Sequence, residues 1–261
     1  MLVETNFTEV TEIAGDEVAQ HQIERSVHRY TWVSDFCNDM DVLEIACGSG
    51  QGADLLASEA TSYVGIDCCA ELINKAKSIN PQLSFFEGNA CQLPFNDSSK
   101  DIIIFFEAIY YVKDIDQLFK EFNRVLRDDG KIFITSTNKD LFDFHKSNYS
   151  HRYFGANEFE SLVDNYNMSV EIFGYDDLSK LSFFAKMVRI IKYLADQLCL
   201  IPTTMNGKKW LKKIIYGKLV YMPNKLSNSL TSCSKNRDLY VIPKDKKDVK
   251  HAYIYTIITK K

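Results

Sequence analysis

A short apolar run that ends in a glycine-rich turn is the feature of this sequence that most constrains its fold. The run 42–46 (VLEIA) is followed by Gly48, Gly50 and Gly52. In α/β proteins such a turn lies beyond the carboxyl end of a buried parallel strand, where ligands bind. Glycine lets the backbone turn sharply and approach a ligand more closely than a Cβ atom allows. The segment therefore predicts a buried strand followed by a ligand-binding loop.

Apolar runs and amphipathic segments alternate along the chain from this point. The predicted strands that follow are 63–67, 83–87, 101–106, 131–136 and 169–174, and the predicted helices are 53–59, 70–78, 115–126 and 158–165. Repeated strand–helix units predict a doubly wound, mostly parallel sheet with right-handed crossovers. The alternation of predicted strands and helices stops at residue 176, and the next predicted strand is 252–259. We therefore expect an α/β domain, 1–175 plus 251–261, with an inserted helical subdomain at 176–250 that serves as a lid or a dimer contact. A helix within 15–37 is expected to pack over the mouth of the sheet.

Composition narrows the class of protein. The net charge of −4 over 261 residues gives no overall bias toward nucleic acid. The first twenty residues lack both a basic start and an apolar run, and no segment reaches the roughly 18 apolar residues that predict a membrane span. The seven cysteines have neither CxxC pairs nor Cys/His ligand spacing, so we expect reduced thiols and no metal site. These features favour a cytoplasmic globular protein.

Two carboxylates flank the glycine turn. Asp67 ends the second predicted strand, 19 residues after Gly48, where a carboxylate can accept both hydroxyls of a ribose. Glu44 lies four residues before Gly48 and would hold either the loop or an ammonium group of the ligand. The turn also fits a loose G-x-G-x-x-A pattern, so a nicotinamide dinucleotide is an alternative ligand. Against it stand the acidic Glu44, the short polar Asn89 after strand three, and the Phe106-Glu107 pair after strand four.

Several segments taken together resemble a known family. VLEIACGSGQG, YVGID, GNACQLPF, DIIIFFEAIYYV and RVLRDDGKIFITSTNK are similar to motifs of the class I S-adenosylmethionine-dependent methyltransferases. The resemblance covers roughly residues 28–175 and the last strand. It implies a Rossmann-like, mostly parallel seven-stranded sheet with an antiparallel last strand, and S-adenosyl-L-methionine as the cofactor.

The resemblance also implies which residues bind the cofactor. The implied set is Arg29, Glu44, Ala46, Gly48, Gly50, Asp67, Cys68, Asn89, Ala90, Phe106 and Glu107. The glycines line the methionine part, Asp67 takes the ribose, and Cys68 flanks the adenine. Asn89 and Ala90 meet the adenine edge. The backbone of 106–107 faces the methionine ammonium, and Arg29 pairs with the carboxylate. An ordinary surface arginine beside a packed tyrosine is the alternative for Arg29.

The sequence departs from the family where a catalytic base is expected. Many relatives carry Glu-His after strand four, whereas this chain has Tyr110 and Tyr111. The replacement candidates are these tyrosines, together with His145 and His151 in the loop after strand five. His151 is preferred because NYSHRYF matches a histidine of related glycan-cluster enzymes, although a lone histidine can be structural. In-line positioning of an activated donor can also supply much of the acceleration.

The insertion gives the only sequence indication of the acceptor. Residues 200–223 resemble the insertion of methyltransferases from bacterial surface-polysaccharide and nucleotide-sugar gene clusters. Between residues 186 and 225 there are nine bases and a single acid, Asp196, which favours an anionic partner unless the face is simply solvated. Lys208, Lys209, Lys212 and Lys213 share one side of a predicted helix at 207–220. A diphosphate or a lipid-phosphate surface could meet these lysines, and the apolar side could form a homodimer contact.

The expected function is therefore methyl transfer to a hydroxyl of a small-molecule acceptor, a sugar or nucleotide-sugar that can carry phosphate. Strand four is followed by Phe-Glu-Ala-Ile, not by the Asn-Pro-Pro-Tyr of nucleic-acid amino-group methyltransferases. Nucleic acid is accordingly not expected as a partner. The alternatives are methylation of a quinone or other small aromatic metabolite, an NAD-dependent oxidoreductase, and a non-catalytic cofactor-binding partner of another enzyme.

Overall fold

The computed structural model describes residues 11–147, 149–198, 218–230 and 238–261. The strands are β1 Glu17–Val18, β2 Asp41–Ile45, β3 Ser62–Asp67, β4 Ser84–Glu87, β5 Lys100–Phe106, β6 Leu126–Thr137, β7 Met168–Asp177, β8 Val220–Tyr221, β9 Tyr240–Val241 and β10 His251–Lys260. The helices are α1 Gln20–Ser34, α2 Ala53–Ala57, α3 Ala70–Ile79, α4 Ile115–Val125, α5 Ala156–Asp164 and α6 Phe183–Gln197. None of the described helices is both long and apolar enough to cross a bilayer.

The main sheet confirms the predicted doubly wound α/β class. Its strand order is β4-β3-β2-β5-β6-β10-β7-β9, and β4, β3, β2, β5 and β6 are parallel to one another. The last strand, β10, runs antiparallel to both β6 and β7. The order reverses between β2 and β5, so a crevice opens there at the carboxyl edge of the sheet.

Two details of the prediction were wrong. The sheet has eight strands instead of seven, because Tyr240 and Val241 in the insertion pair with β7 at its free edge. A two-residue edge strand has no periodicity by which a sequence could reveal it. The strand predicted at 131–136 also begins earlier, at Leu126, and includes Asp129-Gly130, where the pairing with β5 shifts register between Leu126 and Lys131.

The core follows from the alternation of side chains along the central strands. Leu43 and Ile45 of β2 face a cluster with Phe119 and Phe122 of α4, and Phe159 of α5. Val42 of the same strand faces the opposite cluster, which contains members of α1, α2 and α3. Both faces of β2 and β5 are therefore covered, which is why these strands read as continuous apolar runs.

The described parts of the insertion are not purely helical. β8 pairs antiparallel with β1, and Met222 and Leu226 pack against Val18, Ile23 and Val27. The segment after β8 thus lies against the N-terminal helix. Most of the helix predicted at 207–220, with its four lysines, lies outside the described residues, and 220–221 is strand. The division into two units stays a prediction.

Candidate active site

A cavity of about 620 Å³ opens at the carboxyl edge of the sheet, below helix α1. Its volume is within the range of roughly 300–1,000 Å³ that is usual for small-molecule sites. The sequence-predicted residues that line it from β2, β3, β4 and the loops after them are Ala46, Gly48, Asp67, Cys68, Asn89 and Ala90. Those that line it from the other side are Arg29, Phe106, Glu107, Tyr110 and Tyr111. Glu44, Gly50, His145 and His151 are not in the lining.

Asp67 ties the glycine turn to the end of β3. Its Oδ2 accepts a hydrogen bond from the Gly48 N–H at 2.9 Å, and its Oδ1 accepts one from the Cys69 N–H at 2.9 Å. The side chain is buried, and this burial raises the pKa of the Asp67 carboxyl above its usual range. Because each carboxylate oxygen has two lone pairs, the side chain can still accept hydrogen bonds from a ligand in the cavity.

Glu44 lies behind the wall of the cavity. It is 1% exposed and accepts hydrogen bonds from the Tyr30 hydroxyl at 2.5 Å and from the Tyr63 hydroxyl. Burial raises the pKa of the Glu44 carboxyl to about 7. Tyr30 in turn covers the turn so closely that a Cβ atom at Gly52 would overlap its ring. Of the two roles predicted for Glu44, this geometry favours support of the loop.

The glycine turn is crowded by the protein's own side chains. Gly50 has φ +67°, and a Cβ atom there would lie 3.0 Å from Ala76 Cβ and from Phe85 Cζ. Gly50 makes room for the packing of α3 and β4 under the turn. That this glycine also makes room for a ligand stays a prediction.

Two residues at the ends of neighbouring strands have a left-handed backbone although neither is glycine. Ala46 follows β2 with φ 57° and Glu107 follows β5 with φ 50°. Such a conformation costs about 1–2 kcal/mol for a residue with a side chain. Both residues line the cavity, and local strain of this kind clusters at ligand sites.

Arg29 and Glu107 place opposite charges on one wall. Arg29 Nη1 lies 3.6 Å from Glu107 Oε1, too far for a hydrogen bond. Both side chains are largely buried. Among the described residues, Arg29 Nε and Nη1 and Glu107 Oε1 have no hydrogen-bond partner. Unpaired buried groups are costly, so this pair is suited to a ligand that brings both an anionic and a cationic group.

The sequence of the central strands matches one known family. Residues 43–134 match the family described as Methyltransferase domain. The chain is 31% identical over 139 residues to a probable S-adenosylmethionine-dependent methyltransferase of Mycolicibacterium smegmatis, covering 52% of this chain and 54% of the relative. Residues 43–134 are thus a methyltransferase domain, and this chain is similar to S-adenosylmethionine-dependent methyltransferases. The match favours S-adenosyl-L-methionine over a nicotinamide dinucleotide as the ligand.

Other comparisons agree with this family. A demethylmenaquinone methyltransferase of Lactobacillus johnsonii is 29% identical over 106 residues, which cover 37% of this chain and 43% of the relative. The YcgJ protein of Bacillus subtilis has the same fold, with a TM-score of 0.58 and 16% identity over 90% of this chain and 99% of the other. This chain spans about half the length of the first curated relatives it matches.

The cofactor of this class, S-adenosyl-L-methionine, is compatible with the residues of the cavity. It carries an ammonium, a carboxylate and two ribose hydroxyls. The cavity presents an arginine and a glutamate with unpartnered polar atoms, and the carboxylate of Asp67. The cavity thus has a complementary group for the ammonium, the carboxylate and the ribose of the cofactor.

A second polar cluster in the lining was missed from the sequence. Arg25 donates hydrogen bonds to the Tyr253 hydroxyl and, at 3.2 Å, to Glu12. Thr137 Oγ1 and the Tyr110 hydroxyl donate to Glu107 Oε2 at 3.0 and 3.1 Å. One signal was available: Arg25 precedes Arg29 by four residues, and i, i+4 positions share a helix face. The sequence gives no such signal for Tyr253 and Glu12, because they come close to Arg25 only in the folded protein.

The histidines predicted as a base lie away from this cluster. The side chains of His145 and His151 are exposed, and the His151 backbone N–H donates to the Tyr110 carbonyl at 2.7 Å. Burial raises the pKa of the Tyr110 hydroxyl well above its usual range, and that of Tyr111 as well. Both tyrosines are therefore protonated near neutral pH. The assignment of a base to any of these four residues stays a prediction.

Proposed function

We propose that this methyltransferase transfers the methyl group of S-adenosyl-L-methionine to a hydroxyl of a small-molecule acceptor, a sugar or nucleotide-linked sugar. The observation that supports this acceptor is the polar cluster of Arg25, Thr137 and Tyr253 in the cavity. A hydroxyl-rich acceptor can hydrogen-bond with these groups. Thr137 and Tyr253 already pair with Glu107 and Arg25, but Arg25 Nε has no hydrogen-bond partner among the described residues. An apolar acceptor would leave this buried group unpaired, at a cost of about 1–3 kcal/mol.

Three residues are proposed to hold the cofactor. Asp67 accepts the ribose hydroxyls, Arg29 pairs with the carboxylate, and Glu107 pairs with the ammonium. The roles of Arg29 and Glu107 are supported by their unpartnered polar atoms, which lie on one wall of the cavity. Fixed, buried charges of this kind orient a zwitterionic group without reorganising when it arrives.

The residues around the acceptor act mainly by positioning. The bound cofactor supplies a methyl group activated by a sulfonium, so transfer needs an acceptor oxygen aligned with it. Tyr110 is held between Glu107 and Tyr153, whose ring stacks on it with centroids 4.2 Å apart. Because the Tyr110 hydroxyl donates its one hydrogen to Glu107, its oxygen can accept a hydrogen bond from the acceptor hydroxyl and so orient it. Such alignment accounts for a large part of the acceleration when two reactants are brought together.

The hydroxyl proton must leave as the new bond forms. Neither Tyr110 nor Tyr111 takes it readily in the ground state, because burial favours their protonated forms. We retain His151 as the proposed base. If it acts, His151→Ala lowers kcat by about 10²-fold or more without changing cofactor affinity. Unchanged kcat on a proven acceptor would remove His151 from the mechanism.

A quinone or other small aromatic acceptor is the second candidate. It is favoured by the similarity to a demethylmenaquinone methyltransferase and by the aromatic residues Phe106, Tyr110 and Tyr111 in the lining. An aromatic acceptor can stack on such rings.

The test is a methyl-transfer assay with isotope-labelled S-adenosyl-L-methionine, read by mass spectrometry. A panel of nucleotide sugars is compared with demethylmenaquinone analogues under the same conditions. Label on a sugar hydroxyl is the expected result. Label on the quinones alone would overturn the sugar assignment in favour of the second candidate.

A further inference from the structure

Helix α6 exposes a continuous apolar stripe to solvent. The exposed fractions are 79% for Phe183, 75% for Phe184, 44% for Met187, 49% for Ile190, 59% for Ile191 and 51% for Leu194. With helical residues about 100° apart, these side chains fall within an arc of about 120°. Isolated exposed apolar residues are ordinary, but a contiguous stripe of this size marks an interaction surface.

The opposite side of α6 holds the helix to the body of the protein. Arg189 forms a bidentate ion pair with Asp143, in which Nε lies 2.7 Å from Oδ2. The Arg189 guanidinium also lies 5.0 Å from the ring centroid of Phe142, and Tyr193 packs edge-on against the same ring at 5.8 Å. These contacts fix the orientation of the helix. The stripe faces outward because the polar side of the helix is the anchored one, the reverse of an ordinary surface helix.

Charge identifies the surface that suits this stripe. Lys186 and Lys192 of α6 are exposed. The sequence 186–225 has nine bases and one acid. Two of the nine, Arg189 and Lys225, pair with Asp143 and Asp54 elsewhere in the protein, and residues 199–217 lie outside the described part of the chain. A second copy of the chain would bring the same excess of positive charge against itself. An anionic surface would attract it.

The length of α6 fits a helix that lies in an interface. Its 15 residues are fewer than the roughly 20 required to cross a bilayer. Large apolar side chains on one face, with lysines beside them, are characteristic of helices that lie in the plane of the headgroups.

A chain of contacts joins α6 to the cavity. The α6 anchor Asp143 belongs to the loop after β6. In that loop Phe144 packs edge-on against Tyr153, with centroids 4.8 Å apart, and Tyr153 stacks on the cavity residue Tyr110. The loop starts at the carboxyl edge of the sheet, where the cavity also opens. We propose that α6 binds the surface of a bilayer containing anionic phospholipid, and so holds the cavity close to that surface.

The test measures binding to vesicles in a flotation assay. Wild-type protein is compared on vesicles of phosphatidylcholine with phosphatidylglycerol and on vesicles of phosphatidylcholine alone. Phe184→Ser/Ile191→Ser removes apolar area from the stripe. Phe86→Ser/Val249→Ser removes exposed apolar side chains from elsewhere, 50% and 64% exposed, and is the matched control. Affinity for S-adenosylhomocysteine in calorimetry reports whether each variant retains its fold.

The wild-type protein and the control are expected to bind the anionic vesicles, more weakly at high salt and on phosphatidylcholine alone. The α6 variant should lose about tenfold or more in partitioning while S-adenosylhomocysteine affinity holds. Equal binding by the α6 variant and the control, or no binding by the wild type, would overturn the proposal. A dimer in sedimentation that only the α6 variant dissociates, with no vesicle binding, would assign the stripe to a second copy and overturn it too.

Discussion

At the scale of single residues, Glu44 makes the stability of the folded protein depend on pH. The folded state raises its carboxyl pKa from 4.5 to about 7 because the group is buried. The folded protein therefore holds a proton that the unfolded chain has lost between these pH values. The contribution of this group to stability is complete below about pH 4.5 and decreases as pH rises through the window.

Glu44→Gln tests this linkage, since glutamine cannot ionise but can still accept a hydrogen bond from the hydroxyl of Tyr30. The free energy of unfolding of wild type relative to the variant should fall by about 2 kcal/mol between pH 5 and pH 7.5. Urea unfolding at both pH values measures the difference. A difference that does not change with pH would mean that Glu44 is ionised in the folded protein throughout.

Arg25 and Arg29 of α1 both line the cavity and can be compared as matched alanine variants. Arg29→Ala should weaken S-adenosylhomocysteine binding by roughly ten- to a hundredfold, since hydrogen bonds to charged groups contribute about 1.5–3 kcal/mol. Arg25→Ala should leave that affinity within about threefold and raise the acceptor KM instead. Calorimetry and steady-state kinetics separate the two effects. Equal losses of cofactor affinity would show that the two residues do not serve different ends of the cavity.

At the scale of the elements, two glycines of the turn allow the cost of backbone strain to be compared with the cost of crowding. Gly48 and Gly50 both have positive φ, but a Cβ at Gly48 would have its nearest neighbour at 3.5 Å, whereas at Gly50 it would meet Ala76 and Phe85 at 3.0 Å. Gly48→Ala should cost about 1–2 kcal/mol of stability from the backbone alone. Gly50→Ala should cost about 1–3 kcal/mol more through overpacking. Thermal unfolding of both variants checks the order, and equal costs would contradict the crowded turn.

The elements that could be predicted from sequence are those whose buried side chains recur at a regular spacing within the element itself. β5 was recognised because both of its faces are covered, and α4 because Leu118, Phe119, Phe122 and Val125 recur at helical spacing and are buried. β9 is too short for any pattern. The bulge in β6 depends on its pairing with β5, which a turn signal such as Asp-Gly cannot reveal.

The residues of the candidate site also fall into those that could be predicted from sequence and those that could not. The residues lining the cavity from the strand ends could be predicted, because strand order brings successive carboxyl ends to one edge. The pairing of Arg25 with Tyr253 could not, because these two residues are 228 positions apart. Glu44 was assigned a choice of two roles, since sequence cannot reveal that Tyr30 and Tyr63 would lie beside it.

At the scale of the whole molecule, segments far apart in the chain close the cavity together. Helix α1 contributes Arg25, Arg29 and Tyr30, and the insertion contributes Met222 and Leu226. The sheet supplies the floor, and these segments, held to each other by β1 and β8, supply the cover. The central claim is that this enclosed space is the S-adenosyl-L-methionine site.

Calorimetric titration with S-adenosylhomocysteine tests that claim most directly. Wild-type protein should bind it with one-to-one stoichiometry and show no binding of NAD. Asp67→Ala should bind it roughly ten- to a hundredfold more weakly, because the ribose hydroxyls lose a charged acceptor, while thermal unfolding shows that the variant is folded. Binding of NAD in place of S-adenosylhomocysteine, or unchanged affinity in a folded Asp67→Ala variant, would contradict the account.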